Sequence, residues 1–268
     1  MSKSRVWPRR AAVSLLAVSA SYAAPHVHPQ PLFAYSLRQG VVVLHARQHL
    51  PARAAEILRD VEGRLGRSPL YHADRTHDVY ICDTPALYAF FTLHHRNTGG
   101  ETFTWLGNNI FLRPAHVKTD RLIGPSGRDV PGERSLTYFI THEVAHALTA
   151  DAVGTWRYLR LERWQQDGYA DYVAKAGAFD FGGALRGFRA DAPDLDPERS
   201  GLYLRYHLLV AYLLERRGVR VLDFLSGPQP AAPIEAELRA LPESVTEDLT
   251  AARAEQLNEP SQPRAEHE

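Results

Sequence analysis

The stretch LTYFITHEVAHALTA, residues 136–150, decides how the rest of the chain is read. Leu136, Phe139, Ile140, Val144, Ala147 and Leu148 recur at the three- and four-residue spacing of a helix. The spacing predicts a helix over 136–150 that is buried on much of its circumference. Into it the sequence sets two histidines and a glutamate. His142 and His146 stand four apart, one turn above the other on a single face, so both imidazoles can reach one ion. Glu143 is one position on from the first of them, beside that point without meeting it. A carboxylate is expensive to bury unpaired, so its place among apolar neighbours argues for a site and against plain core.

Upstream of this helix the chain alternates between short strands and helices. Residues 41–44 and 79–82 read as strands, and 51–65 carries Ala54, Ala55, Ile57, Leu58, Val61 and Leu65 at helical spacing. Thr84 followed by Pro85 has the N-cap and first-turn chemistry of a further helix that Gly99 and Gly100 end. Residues 102–105 and 109–112 read as two short strands around Gly107-Asn108, a hairpin signal. Downstream, helices are expected over 161–176 and 202–217, the latter ended by Gly218, with a Gly-, Asp- and Pro-rich loop over 177–200. The expected fold class is α+β: a small N-terminal α/β layer with a short mixed sheet, packed on a helical half. The layer covers 25–125, the helical part 126–226, and short peripheral helices with a polar, disordered tail cover 227–268.

The 268 residues hold 31 Lys plus Arg against 31 Asp plus Glu, so no global field attracts nucleic acid or an anionic membrane. Residues 1–24 carry Lys3, Arg5, Arg9 and Arg10, an apolar run over 11–20, and small residues at Ser21 and Ala23. These are the parts of a signal peptide, and the run is too short to span a membrane comfortably. An exported protein, periplasmic or secreted, with no stable span after cleavage is expected; an uncleaved anchor and the twin-arginine route are the variants. The single cysteine, Cys82, rules out an intramolecular disulfide and any multi-cysteine metal cluster, and its apolar strand makes it a core residue. Any metal must use histidine and carboxylate, and the chain holds 13 histidines. His26 and His28 read as tail, and His72, His77, His94, His95 and His116 as surface or loop.

His142-Glu143-Val144-Ala145-His146 is the HExxH pattern, in which two histidines supply ligands to a tetrahedral zinc and the glutamate takes the proton from zinc-bound water. The next helix reads WQQDGYADY over 164–172 and offers a third, acidic ligand. Together the two motifs resemble the gluzincin branch of the HExxH zinc metallopeptidases (peptidase MA-like), whose second helix reads W-x-x-E-G-x-A-x-Y. Trp164, Gly168, Ala170 and Tyr172 match that pattern, and Asp167 occupies the position of the third ligand. Aspartate is one methylene shorter, which requires a closer helix; Gly168 and Ala170 are small enough to allow one. The resemblance spans about residues 100–225 and implies a zincin-like fold.

Asp171 lies one turn after Asp167 on the same face, placed to accept the second N–H of His142 or His146. Glu162 competes with Asp167 as third ligand but lacks small neighbours. The longer pattern with a third histidine is excluded by Thr149 and Ala152. The resemblance also implies a tyrosine or histidine donor for the oxyanion. Tyr203 is the first choice, with Tyr206, His207, Tyr169 and Tyr172 as alternatives. The expected activity is hydrolysis of protein or peptide substrate, with Zn2+ held by His142, His146 and Asp167 and water activated by Glu143. Asn109 and Ile110, on an edge strand over 109–112, would bind the substrate in extended form. The alternatives are hydrolysis of a cell-wall peptide, and a non-catalytic metal-binding or scaffold module of the same fold.

Overall fold

A computed structural model describes residues 23–242 apart from 94, 96, 106 and 107. The signal peptide expected over 1–24 falls almost entirely outside the described residues, as do Gly107 of the hairpin signal and the tail beyond 242. The fold is mixed α+β, with a five-stranded mixed sheet, a small second sheet and a helical C-terminal half. It forms two compact units, one up to Asp151 and one from Ala152 on. Among the described residues no helix is long and apolar enough to cross a membrane.

In the first unit the strands are β1 (Tyr35–Gln39), β2 (Val42–Ala46), β3 (His77–Ile81), β4 (Gly100–Thr102) and β5 (Ile110–Leu112), in sheet order β1-β2-β3-β5-β4. β2, β3 and β5 are mutually parallel, while β1 and β4 run antiparallel to their neighbours. Val42, Leu44, Val79 and Ile110 are wholly buried, as parallel strands covered on both faces require. Helix α1 (Arg53–Leu65) makes the crossover from β2 to β3 and buries five of the six residues predicted at helical spacing, Ala54, Ile57, Leu58, Val61 and Leu65, with Ala55 half-buried. Helix α2 (Pro85–Phe91) starts where its cap predicts, with Thr84 Oγ1 accepting from Leu87 N at 3.1 Å. Cys82 is buried among Phe33, Tyr80, Tyr88, Phe91, Phe103 and Phe111, as a core residue. Burial raises its thiol pKa far above the usual value.

Three expectations need correction. Residues 109–112 were expected at an edge, but β5 lies between β3 and β4; the edge beyond it is β4. His77 lies in β3 and is 2% exposed, because the register sets it opposite Val42. His26 is also buried, with its Nε2 3.1 Å from Phe90 O. Strand β1 escaped prediction because YSLRQ has no apolar alternation; it pairs at the margin with mostly exposed side chains.

Helix α3 (Leu136–Val153) realises the stretch 136–150 and is buried over every position from Leu136 to Ala150. Its start is fixed twice. Ser135 Oγ accepts from Tyr138 N at 3.2 Å, and Asp120, in left-handed conformation at φ 54°, accepts from Thr137 N at 2.8 Å. These carboxylate and hydroxyl oxygens satisfy donors that no preceding turn can reach.

The second unit holds α4 (Arg163–Lys175), α5 (Phe181–Arg189), α6 (Leu204–Ala211, continued by a π-helical turn Tyr212–Arg216) and α7 (Ala231–Ala240). A capping box of Glu162 and Gln165 starts α4. Helix α5 corrects the reading of 177–200 as loop. Its three glycines, Gly182, Gly183 and Gly187, mask a stripe of Phe181, Leu185 and Phe188 that is buried on one face. Asp180 Oδ1 caps it, accepting from Gly183 N at 3.0 Å.

Candidate metal centre

Helix α3 brings His142 and His146 together. Their rings meet edge to face, with centroids 4.7 Å apart at 88°, and the two Nε2 atoms are 3.2 Å from each other. Two nitrogens bound to one tetrahedral zinc at about 2.0–2.1 Å would stand about 3.3 Å apart. Both histidines are buried, and Tyr138 stacks on His142 with ring centroids at 5.6 Å. Burial, and after it the neighbouring His142, push the pKa of His146 well below its ordinary value. A neutral imidazole with a lone pair to donate is the form in which histidine binds a metal.

Glu143 is 6% exposed, so its carboxylate needs partners. Thr102 at the end of β4 supplies one: its Oγ1 donates to Glu143 Oε2 at 2.7 Å and lies 3.1 Å from Glu143 O. Two residues back, Gly100 makes room for the same side chain. A Cβ built there would sit 2.6 Å from Glu143 Cγ and 2.7 Å from Leu112 Cδ2. The sheet edge thus shapes the seat of the glutamate from two positions that sequence reasoning did not assign. In the sequence the Gly99-Gly100 pair reads only as a helix stop.

On α4, Asp167 Oδ2 accepts from Arg163 Nε at 3.1 Å, and Arg163 also pairs with Glu198 at 2.6 Å. Burial alone would lower the Arg163 pKa, but the bond to Asp167 raises it overall. His142, His146 and Asp167 each offer one ligand atom, and these atoms lie within 4.8 Å of one another. The group can hold a metal ion. Two imidazoles and one carboxylate are a zinc donor set that leaves the fourth position open.

The remaining predicted residues of this half lie on α4, or on and just before α6. Asp171 is buried and accepts from Lys175 Nζ and His207 Nδ1, both at 2.8 Å. Burial works against its ionisation, but His207 and Lys175 win and lower its pKa. The pKa of His207, stacked on Phe179 at 3.8 Å, is lowered by burial despite Asp171. This His207–Asp171–Lys175 cluster was not foreseen as a unit. Tyr203 immediately precedes α6, its ring stacked on Tyr206 at 6.2 Å. Gly168 does permit a close approach, though to α6: a Cβ there would lie 2.8 Å from Tyr206 O. Gln165 and Trp164 bind the turn before α7, through Gln165 Nε2 to Phe224 O at 2.9 Å and Trp164 Nε1 to Gln229 O at 2.8 Å.

Asn109 and Ile110 do not form the substrate edge expected of them. Asn109 Nδ2 donates to His26 O at 2.8 Å and to Val27 O at 3.1 Å, tying down the N-terminal segment, and Ile110 is fully buried inside the sheet. No model of a protein family matches the chain, and no curated protein matches it in sequence.

Proposed function

We propose that this chain is a zinc-dependent peptidase whose Zn2+ is held by His142, His146 and Asp167. The observation that carries this reading is the convergence of those three side chains, two of them buried on the HExxH helix, within 4.8 Å. When bound, Zn2+ supplies a Lewis acid that polarises the scissile carbonyl and makes water acidic enough to be a nucleophile near neutral pH. The protein does the rest. Glu143 is the general base: one carboxylate oxygen, Oε2, is fixed by Thr102, and the other takes the proton from the attacking water and passes it to the leaving amine nitrogen. Tyr203 Oη is assigned to the developing oxyanion.

An extended substrate adds to the sheet at β4, the edge strand whose Thr102 already touches Glu143; β4 thereby takes the role first expected of residues 109–112. The paired motifs of α3 and α4, with their resemblance to gluzincins, support the choice of peptide over other bonds. The basic and apolar N-terminal segment supports export as its setting.

The experiment is metal analysis and hydrolysis of casein and a peptide library by the purified protein. Stoichiometric zinc, hydrolysis lost on chelation, and a Glu143→Gln variant that keeps its zinc but loses hydrolysis are expected. Full activity in Glu143→Gln overturns the mechanism. Stoichiometric zinc with no hydrolysis of any peptide replaces it with a non-catalytic metal-binding module.

A further inference from the structure

The carboxyl ends of β2, β3 and β5 open onto a cavity of about 600 Å³, walled by the turns that follow these strands. This volume is within the range of small-molecule sites, which are concave and mostly apolar with a few placed polar groups. The floor is apolar: Ile81 is buried, and Leu50, Val117 and Ile123 offer partly exposed hydrocarbon to the cavity.

The charged groups at the rim are arranged unevenly. Arg47 Nη1 lies 3.2 Å from Asp83 Oδ1, and His116 Nδ1 lies 2.8 Å from Asp129 Oδ1, so each acid already faces a base. Lys118 lines the same cavity and has no carboxylate within ion-pair distance among the described residues. A cationic ligand would find both acids engaged and Lys118 opposing it. A ligand with an apolar body and a single negative head would cover the floor and give Lys118 the partner it lacks.

We propose that this cavity is a binding site for a small organic acid, its hydrocarbon body on Ile81, Leu50, Val117 and Ile123 and its carboxylate on Lys118. None of these residues belongs to the metal centre, so the proposal stands or falls apart from the peptidase reading.

The test titrates 3-phenylpropionate into the full-length protein by calorimetry and by amide chemical shifts. Saturable binding is expected, with shifts concentrated in residues 46–51 and 114–119. The uncharged 3-phenylpropionamide should bind about fivefold more weakly, the scale of one partly exposed ion pair. Lys118→Gln, exposed and checked for folding by circular dichroism, should bring the acid down to the affinity of the amide. Val117→Phe should fill the cavity and weaken acid and amide alike. No saturable binding, equal affinity for acid and amide, full affinity in folded Lys118→Gln, or shifts centred elsewhere would each overturn the proposal.

Discussion

The contact between Thr102 and Glu143 offers the sharpest test of how the sheet edge supports the proposed base. Thr102→Val removes one hydroxyl and keeps the branched shape, so packing changes little while a buried carboxylate loses the donor that Thr102 supplies. Hydrogen bonds to charged groups contribute about 1.5–3 kcal/mol, and stranding a buried acceptor costs a similar amount. The bond is 2.7 Å long and Glu143 is 6% exposed, but Thr102 itself is only half-buried. The expected loss is therefore about 2 kcal/mol at pH 7, toward the middle of that range. Urea unfolding followed by circular dichroism reads it, with an unchanged m-value showing that stability moved and the unfolded state did not. Thr102→Ser should recover most of the loss, because the donor returns without the methyl. A double-mutant cycle with Glu143→Gln isolates the pair from each residue's other contacts and should give a coupling of about 1–2 kcal/mol. Coupling near zero, or a Ser variant no better than Val, would refute the assignment of Thr102 as the group that seats Glu143.

Other contacts make equally direct predictions. Gly168→Ala sets a methyl 2.8 Å from the Tyr206 carbonyl oxygen, backbone against side chain with no rotamer to relieve it, and should cost about 1–3 kcal/mol by thermal unfolding. Asp167→Asn should weaken zinc binding at least about tenfold in competition with a chromophoric chelator, while Glu162→Gln should leave it unchanged. Asp171 has a lowered pKa, so its contribution is present above the unfolded carboxyl value of about 3.9 and lost as pH falls below it. Asp171→Asn should flatten that acid limb of the stability profile and cost about 3–5 kcal/mol at pH 7, where it takes from His207 and Lys175 the buried carboxylate they share. His77 is lowered by burial, so as pH falls through about 6.5 the unfolded chain takes up a proton that the folded ring resists. Stability declines from there downward, and His77→Leu should remove that component of the slope in urea titrations between pH 7 and 5.

How much of this could be read from the sequence depends on the range over which each determinant acts. The site helix was legible because its information is local. The spacing of His142 and His146 fixes a shared face whatever surrounds the helix, and the apolar positions around them announce burial. The same holds for α1, whose five-residue stripe is buried as its periodicity predicts, and for Thr84, which caps α2 with its own side chain. Helix α5 was hidden by composition: Gly182, Gly183 and Gly187 lower helix propensity, but Phe181, Leu185 and Phe188 supply enough apolar contact to override it.

The determinants that escaped were non-local. Whether residues 109–112 form an edge depends on which strand pairs on their far side, and that strand, β4, is three residues long with two of them polar in side chain. Once β4 takes the edge, its antiparallel register sets Gly100 opposite Leu112 and Thr102 opposite Ile110. Side chains two apart along a strand point to the same face, so the bare position at Gly100 and the hydroxyl at Thr102 address one neighbour. That neighbour is Glu143. The glutamate could be found from its own helix, but the groups that hold it depend on a register. A two-residue slip of β4 in one direction would carry Thr102 into the place of Gly100 and fill the space Glu143 occupies, and a slip in the other would set Gly100 where the Thr102 hydroxyl stands. The pairing of β4 with β5 therefore sets the geometry of the proposed base as firmly as the helix that carries it.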